Sequence, residues 1–215
     1  MPTLQSVVEN ASCLARISNN RDVEAKAMIV QASIYMNLNQ NSLAIDLCRH
    51  SWNIYKELGD KQGICKSLIG LGGVYSGTLN EYPQALDAYT TALAIAEELK
   101  DTYRIALILG CMGSVYSKLS DYPRALEYMG LALANHEATG AKSFIAQVLK
   151  NIGSIYDAVG DYDKALEYTH KALDVFTDLG MKPKIVSIIS DIGRLYISTG
   201  SILRLRIPIS VPCFV

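Results

Sequence analysis

The chain has 215 residues, 50% of them hydrophobic and 19% charged, a balance that suits a packed core and argues against disorder. Its 20 basic and 21 acidic residues leave a formal net charge of −1, so it lacks the electrostatic footprint of a partner for nucleic acid or for an anionic membrane surface. No apolar run reaches the ~18 residues of a membrane span, and the N-terminus lacks the basic and apolar regions of a secretion signal. The five cysteines form no CxxC pair, which predicts reduced thiols and a cytoplasmic location.

In chain order, residues 1–16 place Leu4, Val7, Ala11 and Leu14 on one helical face and read as the second helix of an incomplete preceding unit. A long period then sets in. Tyr35, Tyr75, Tyr116, Tyr156 and Tyr196 are spaced by 40, 41, 40 and 40 residues, and Tyr82, Tyr122 and Tyr162 by 40 and 40. The one extra residue therefore falls in "SGTLNE", between Tyr75 and Tyr82, and is expected to lie in a connection, where insertions are tolerated. The period divides the array at 17–200 into units of about 17–58, 59–99, 100–139 and 140–180, with 181–200 incomplete.

Each unit holds two helical patterns. Leu109, Met112, Gly113 and Tyr116 fall at i, i+3, i+4 and i+7, and Leu149, Ile152, Gly153 and Tyr156 repeat them. After a break ("SDYP", "GDYD"), Asp121 or Asp161 suits a helix N-cap and Pro123 the first turn. The second helix carries Ala125, Leu126, Tyr128, Ala132 and Leu133, matched later by Ala165, Leu166, Tyr168, Ala172 and Leu173. Gly72, Gly113, Gly153 and Gly193 stand three residues before the tyrosines, inside a helix, where glycine costs ~1 kcal/mol relative to alanine. Their recurrence predicts close approach of the facing helix at a small residue such as Ala125 or Ala165.

The series Leu109-x-x-Met112-Gly113-x-x-Tyr116, then Ala125 and Ala132, resembles the tetratricopeptide repeat. The longer period of 40, without the helix-ending proline, is similar to the repeats of kinesin light chains, spindle-orientation adaptors and bacterial signalling regulators. Six residues beyond the usual 34 add ~9 Å of helix per unit. The resemblance implies an all-α fold, a right-handed α-solenoid of antiparallel helix pairs. It also implies a non-catalytic scaffold without cofactors, whose first helices line a concave groove for a peptide or helix of a partner protein.

Periodicity locates that groove. Gln147, Lys150, Asn151, Ser154 and Asp157 face away from the core set around Ile152. One unit later come Ser187, Ser190, Asp191, Arg194 and Ile197; one unit earlier, Leu107, Gly110, Cys111, Ser114 and Ser117, with Lys118 beside them. The candidate partner-binding residues are Ser114, Lys118, Gln147, Lys150, Asn151, Ser154, Asp157, Asp191 and Arg194. Lys150 and Arg194 suit carboxylates, and Asn151 suits backbone amides. The family's clamp for a C-terminal carboxylate is absent, since Ile29, Ser33 and Gly73 occupy its places.

Signs of catalysis are lacking. His50, His136 and His170 are far apart and read as exposed helix-surface residues, with no second metal ligand at suitable spacing. "GLGGVYSG" has neither GxGxxG nor GKS/T spacing, and no cysteine is paired with a histidine by motif. After Gly200 the chain reads "SILRLRIPISVPCFV", with Pro208 and Pro212 where a second helix is due. This apolar 201–215 segment reads as a truncated or altered end of a longer array, or else as a cover for the last helix. It is also a hazard for self-association. The alternative functional reading is a regulatory fragment of a larger signalling enzyme, a cyclase or histidine kinase.

Overall fold

A computed structural model describes residues 20–199, and the expectations for residues 1–16 and 201–215 lie outside them. The described residues form nine α-helices: α1 (Arg21–Asn37), α2 (Asn41–Leu58), α3 (Lys61–Val74), α4 (Tyr82–Glu98), α5 (Thr102–Lys118), α6 (Tyr122–Thr139), α7 (Lys142–Val159), α8 (Tyr162–Asp178) and α9 (Lys182–Ser198). No strand occurs among them. The chain divides into two compact units, Met1–Asn135 and His136–Val215, the boundary falling inside α6. Within the first, α1 packs on α2 and α3 on α4; within the second, α7 packs on α8 and α8 on α9.

Local sequence explains each reversal. The helices end on residues with positive φ: Asn39, Gly59, Asn80, Lys100, Ser120, Gly140, Gly160 and Gly180. The following N–H then returns five residues, as from Asp121 to the Tyr116 carbonyl at 2.9 Å and from Asp161 to Tyr156 at 3.0 Å, the closure that satisfies the last carbonyls of a helix. The same aspartates start the next helix: Asp121 accepts from the Arg124 N–H and Asp161 from the Lys164 N–H, each at 3.2 Å. One residue thus ends one helix and caps its neighbour, so the connections stay short.

The extra residue between Tyr75 and Tyr82 is not in a loop. Tyr75–Leu79 forms a π turn continuous with α3, and the Glu81 N–H returns to the Tyr75 carbonyl at 2.9 Å, six residues back instead of five. A π turn takes up one residue without breaking the helix. Tyr75 accordingly remains in the core, 9% exposed, and α4 keeps its register.

Three of the four repeated glycines, Gly72, Gly113 and Gly153, meet a close neighbour, whereas a Cβ at Gly193 would meet nothing within 4 Å. A Cβ at Gly113 would lie 3.0 Å from Met129 Cγ and 3.2 Å from the Ala125 carbonyl oxygen. At Gly153 it would lie 2.6 Å from Thr169 Oγ1 and 3.2 Å from the Ala165 carbonyl. At Gly72 it would enter the Tyr89 ring. The contact is thus with the backbone at the alanine and the side chain one turn beyond, not with the alanine methyl. Ala85, Ala125 and Ala165 are fully buried, which lets that backbone come so close.

The histidines depart from expectation to different degrees. His50 is exposed and His170 half-buried, but His136 is 2% exposed and stacks on Phe144, ring centroids 5.2 Å apart. Its place in the repeat is that of Tyr55 and Phe176, each 1% exposed, so the position is a core position whatever residue fills it. Burial pushes the His136 pKa below its usual 6.5. The unfolded chain then takes up a proton more readily than the folded one, so stability falls as pH drops below about 6.5. His136→Phe keeps the stack and is expected to flatten the fall in melting temperature between neutral and mildly acidic pH; an unchanged pH profile would show that other groups govern it.

Candidate partner-binding surface

In the second unit, α7 and α9 lie side by side and are stitched together by their polar faces. Lys184 Nζ donates to Gln147 Oε1 at 3.1 Å, and Lys150 Nζ donates to Ser187 Oγ at 2.9 Å. The Arg194 guanidinium donates to Asp157 Oδ2 at 2.5 Å. Asp191 sits between them, 3.3 Å from Lys150 Nζ and 3.9 Å from Arg194. On α7 itself, Gln147 donates to Asn151 Oδ1 at 3.1 Å and Ser154 to the Lys150 carbonyl at 3.1 Å.

Seven sequence-derived candidates therefore share one surface: Gln147, Lys150, Asn151, Ser154, Asp157, Asp191 and Arg194. Their electrostatics differ from the sequence reading. Lys150 and Arg194 are not bare cations; each is bonded to a carboxylate of its own chain. The bond to Asp157 pushes the Arg194 pKa further up. The groups around Lys150, Asp157, Asp191 and Arg194 close so tightly that no water-sized space remains between them. The Arg194 side chain is still 55% exposed while that of Asp157 is 18% exposed, so the arginine presents its outer edge to solvent and the acid is the hidden partner.

The two other candidates lie on α5, in the first unit. Ser114 Oγ donates back to the Gly110 carbonyl at 3.0 Å. Lys118 Nζ reaches the Ser76 carbonyl, inside the π turn, at 2.7 Å. Lys118 is thereby tied to the one irregular turn of the repeat, a link that residue spacing does not reveal.

A further feature of the first unit was not anticipated. A pocket of about 220 Å³ opens between Ile29, Ser33 and Met36 of α1, Ile69, Gly70 and Gly73 of α3, and Cys111 of α5, with Cys48, Val74 and Tyr89 also lining it. The signal was present in the period, because Ile69, Gly70 and Gly73 occupy the repeat places of Lys150, Asn151 and Ser154. A Cβ at Gly73 would meet nothing within 4 Å, so helix packing within the described residues does not require this glycine. The thiols here are apolar wall and not reagents: burial pushes Cys48 up to about 11 and raises Cys111 as well, while nucleophilic cysteines have lowered values.

Among the described residues no cluster of three or more His, Cys, Asp or Glu side chains could hold a metal ion, and no helix is long and apolar enough to cross a membrane. Stacked helix pairs whose first helices carry the polar stitching and the pocket define an α-solenoid of interaction repeats. The tetratricopeptide repeat model matches residues 24–98 and 104–200, and the chain belongs to that family. Among curated proteins none matches the sequence significantly. Among solved structures, BtubC (BKLC) from P. vanneervenii is similar at 20% identity, covering 94% of this chain and 87% of that one, with a TM-score of 0.79. The STAND protein with a tetratricopeptide repeat sensor from Pyrococcus horikoshii is 19% identical over 84% of this chain, TM-score 0.72, and this chain spans 28% of its length. A Rap protein complexed with Competence and Sporulation Factor is 18% identical over 93% of this chain and 62% of that one, TM-score 0.72. At these identities the likeness shows the fold.

Proposed function

We propose that the chain is a non-catalytic cytoplasmic scaffold that holds a segment of a partner protein along its first helices. The observation that carries this reading is the pocket between α1, α3 and α5, an apolar recess at the same repeat positions that are polar in the second unit. An extended or helical segment would place an apolar side chain in the recess. Its polar groups would meet Ser114 and Lys118 or, in the second unit, Gln147, Lys150, Asn151, Ser154, Asp157, Asp191 and Arg194. The structural likeness to a Rap protein solved in complex with a second factor supports the same reading.

The test is selection of peptides from a displayed random library on the purified chain. Peptides that depend on the recess are expected to lose binding by about tenfold or more with Ile69→Glu, which places a charge in an apolar wall. They are expected to keep it with Glu127→Lys on a second helix. Selection of peptides indifferent to Ile69→Glu and to changes at Lys150 and Arg194 would defeat the proposal.

A second reading is favoured by one observation, that the chain spans 28% of the STAND protein it resembles. On that reading it is the regulatory array of a larger signalling enzyme. Transcript sequence beyond codon 200 that encodes a cyclase or kinase signature would support it.

A further inference from the structure

Two repeats cover their first-helix tyrosine from within the chain. The Tyr128 ring stacks on Tyr116, centroids 5.2 Å apart, and the Tyr168 ring stacks on Tyr156 at 5.5 Å. A cation four residues before each covering tyrosine adds to the arrangement: Arg124 lies over Tyr116 at 4.6 Å and Lys164 over Tyr156 at 5.0 Å. Asp121 and Asp161 hold these cations. Tyr168 has a further one, Lys171 at 5.0 Å, which Glu167 holds. Ring, cation and carboxylate thus recur as one set.

At Tyr75 the set is incomplete. Ala88 stands in the place of Tyr128 and Tyr168, Gln84 in that of Arg124 and Lys164, and Thr91 in that of Lys171. Among the described repeats this place is otherwise large, since the first unit has Leu47 there. A recess of about 470 Å³ opens beside the small residue, lined in part by Arg49 and Trp52 of α2, Tyr75 of the π turn, and Gln84, Asp87 and Ala88 of α4. It shares no lining residue with the pocket between α1, α3 and α5. The carboxylates of the set are nevertheless kept: Glu81 holds the place of Asp121, and Asp87 that of Glu167. Among the described residues neither is paired with a cation, and Asp87 is exposed. Arg49 donates to the Tyr75 hydroxyl at 3.1 Å and holds no carboxylate. The recess therefore joins an aromatic wall to an acid that lacks its cation.

We propose that this recess is a second docking site, for a segment of another protein that presents an aromatic side chain and, one helical turn from it, a basic one. The guest supplies from outside the ring and the cation that Tyr128 and Arg124, or Tyr168 and Lys164, supply from within. Its ring packs against Trp52 and Tyr75, and the Arg49 guanidinium offers a cation to the ring face. Its basic group pairs with Asp87, and Glu81 adds negative potential at the start of α4. Trp, Tyr and Arg are the residue types that dominate binding energy at interfaces. A second copy of this chain is the poorer guest, because its own ring and cation pairs are already engaged. The site stands apart from the groove and does not depend on what binds there.

Selection from a displayed random peptide library on the full-length chain tests it, with counter-selection on Ala88→Tyr, which puts the repeat's own tyrosine into the recess. The retained peptides are expected to carry an aromatic residue with lysine or arginine one helical turn away. Their binding is expected to change the emission of Trp52, the single tryptophan of the chain. Affinity is expected to fall about tenfold or more with Asp87→Lys, which removes a hydrogen bond between charged groups, and to stay unchanged with Ile69→Glu in the other pocket. Asp87 is exposed, so that variant keeps the test decisive even where Ala88→Tyr does not fold. The proposal is overturned if counter-selection leaves no peptide that Asp87→Lys weakens. It is overturned equally if the peptides keep their affinity after their aromatic residue is changed to alanine or their basic one to glutamate, or if Ile69→Glu weakens them as much as Asp87→Lys does. A dimer of the unaltered chain that Asp87→Lys disperses would also overturn it, because a second copy would then be the guest.

Discussion

Gly153→Leu lowers the stability of the second unit by about 3 kcal/mol, the upper part of the range for overpacked cores. The first atom of the new side chain already meets Thr169 Oγ1 at 2.6 Å, the Ala165 carbonyl at 3.2 Å and the Thr169 nitrogen at 3.4 Å. Two of these are backbone and cannot turn aside. The third is tied as well, because Thr169 Oγ1 donates to the Ala165 carbonyl at 2.6 Å. Replacing glycine in a helix gains up to ~1 kcal/mol of intrinsic propensity, which the overlap outweighs. Gly73→Ala is the matched case with the opposite sign: its Cβ enters open space, so propensity wins and stability rises by ~0.5–1 kcal/mol. Chemical denaturation followed by circular dichroism measures both. If the two variants shift the midpoint in the same direction, close approach is not what the repeated glycines serve.

These two glycines also show what could be read in the residues alone. The period, the paired helices and the crowded glycines follow from spacing, because each repeat solves one packing problem and writes the solution at fixed intervals. The place of the extra residue did not follow. Insertion in a loop and insertion as a π turn leave the same spacing between Tyr75 and Tyr82, and only the backbone bond from Glu81 to Tyr75 distinguishes them. By residue type His136 suits the surface, but its place in the repeat, shared with Tyr55 and Phe176, marks it as core. At the candidate surface, periodicity brought Lys150, Asp157, Asp191 and Arg194 to one face, but charge state in context is a pairwise property. Whether a lysine awaits a partner's carboxylate or already holds Asp191 depends on how α7 and α9 align, which no single helix pattern encodes. The same holds for the apolar pocket: Ile69, Gly70 and Gly73 form no motif singly and become a wall only beside α1 and α5.

The in-chain pairing of those charges gives the binding reading its sharpest test, since opposite changes should produce opposite effects. Lys150→Glu with Arg194→Glu removes both cations and sets four carboxylates on one patch. Selected peptides whose binding uses this surface through their own carboxylates are expected to bind about a hundredfold more weakly, at roughly 1.5–3 kcal/mol for each hydrogen bond to a charged group. Stability is expected to fall as well, by about 1 kcal/mol, because exposed pairs contribute only ~0.2–1 kcal/mol each. Asp157→Asn with Asp191→Asn loses the same pairs but frees Lys150 and Arg194 for an incoming carboxylate. Its stability should fall by a similar amount while its affinity for the same peptides rises by about tenfold, since the guest no longer displaces an in-chain acid. Titration of both double variants with one labelled peptide, beside their denaturation curves, separates binding from folding. Weakened binding in both variants, in step with stability, would mean that these residues only hold α7 against α9, and the partner would then have to be sought elsewhere on the array.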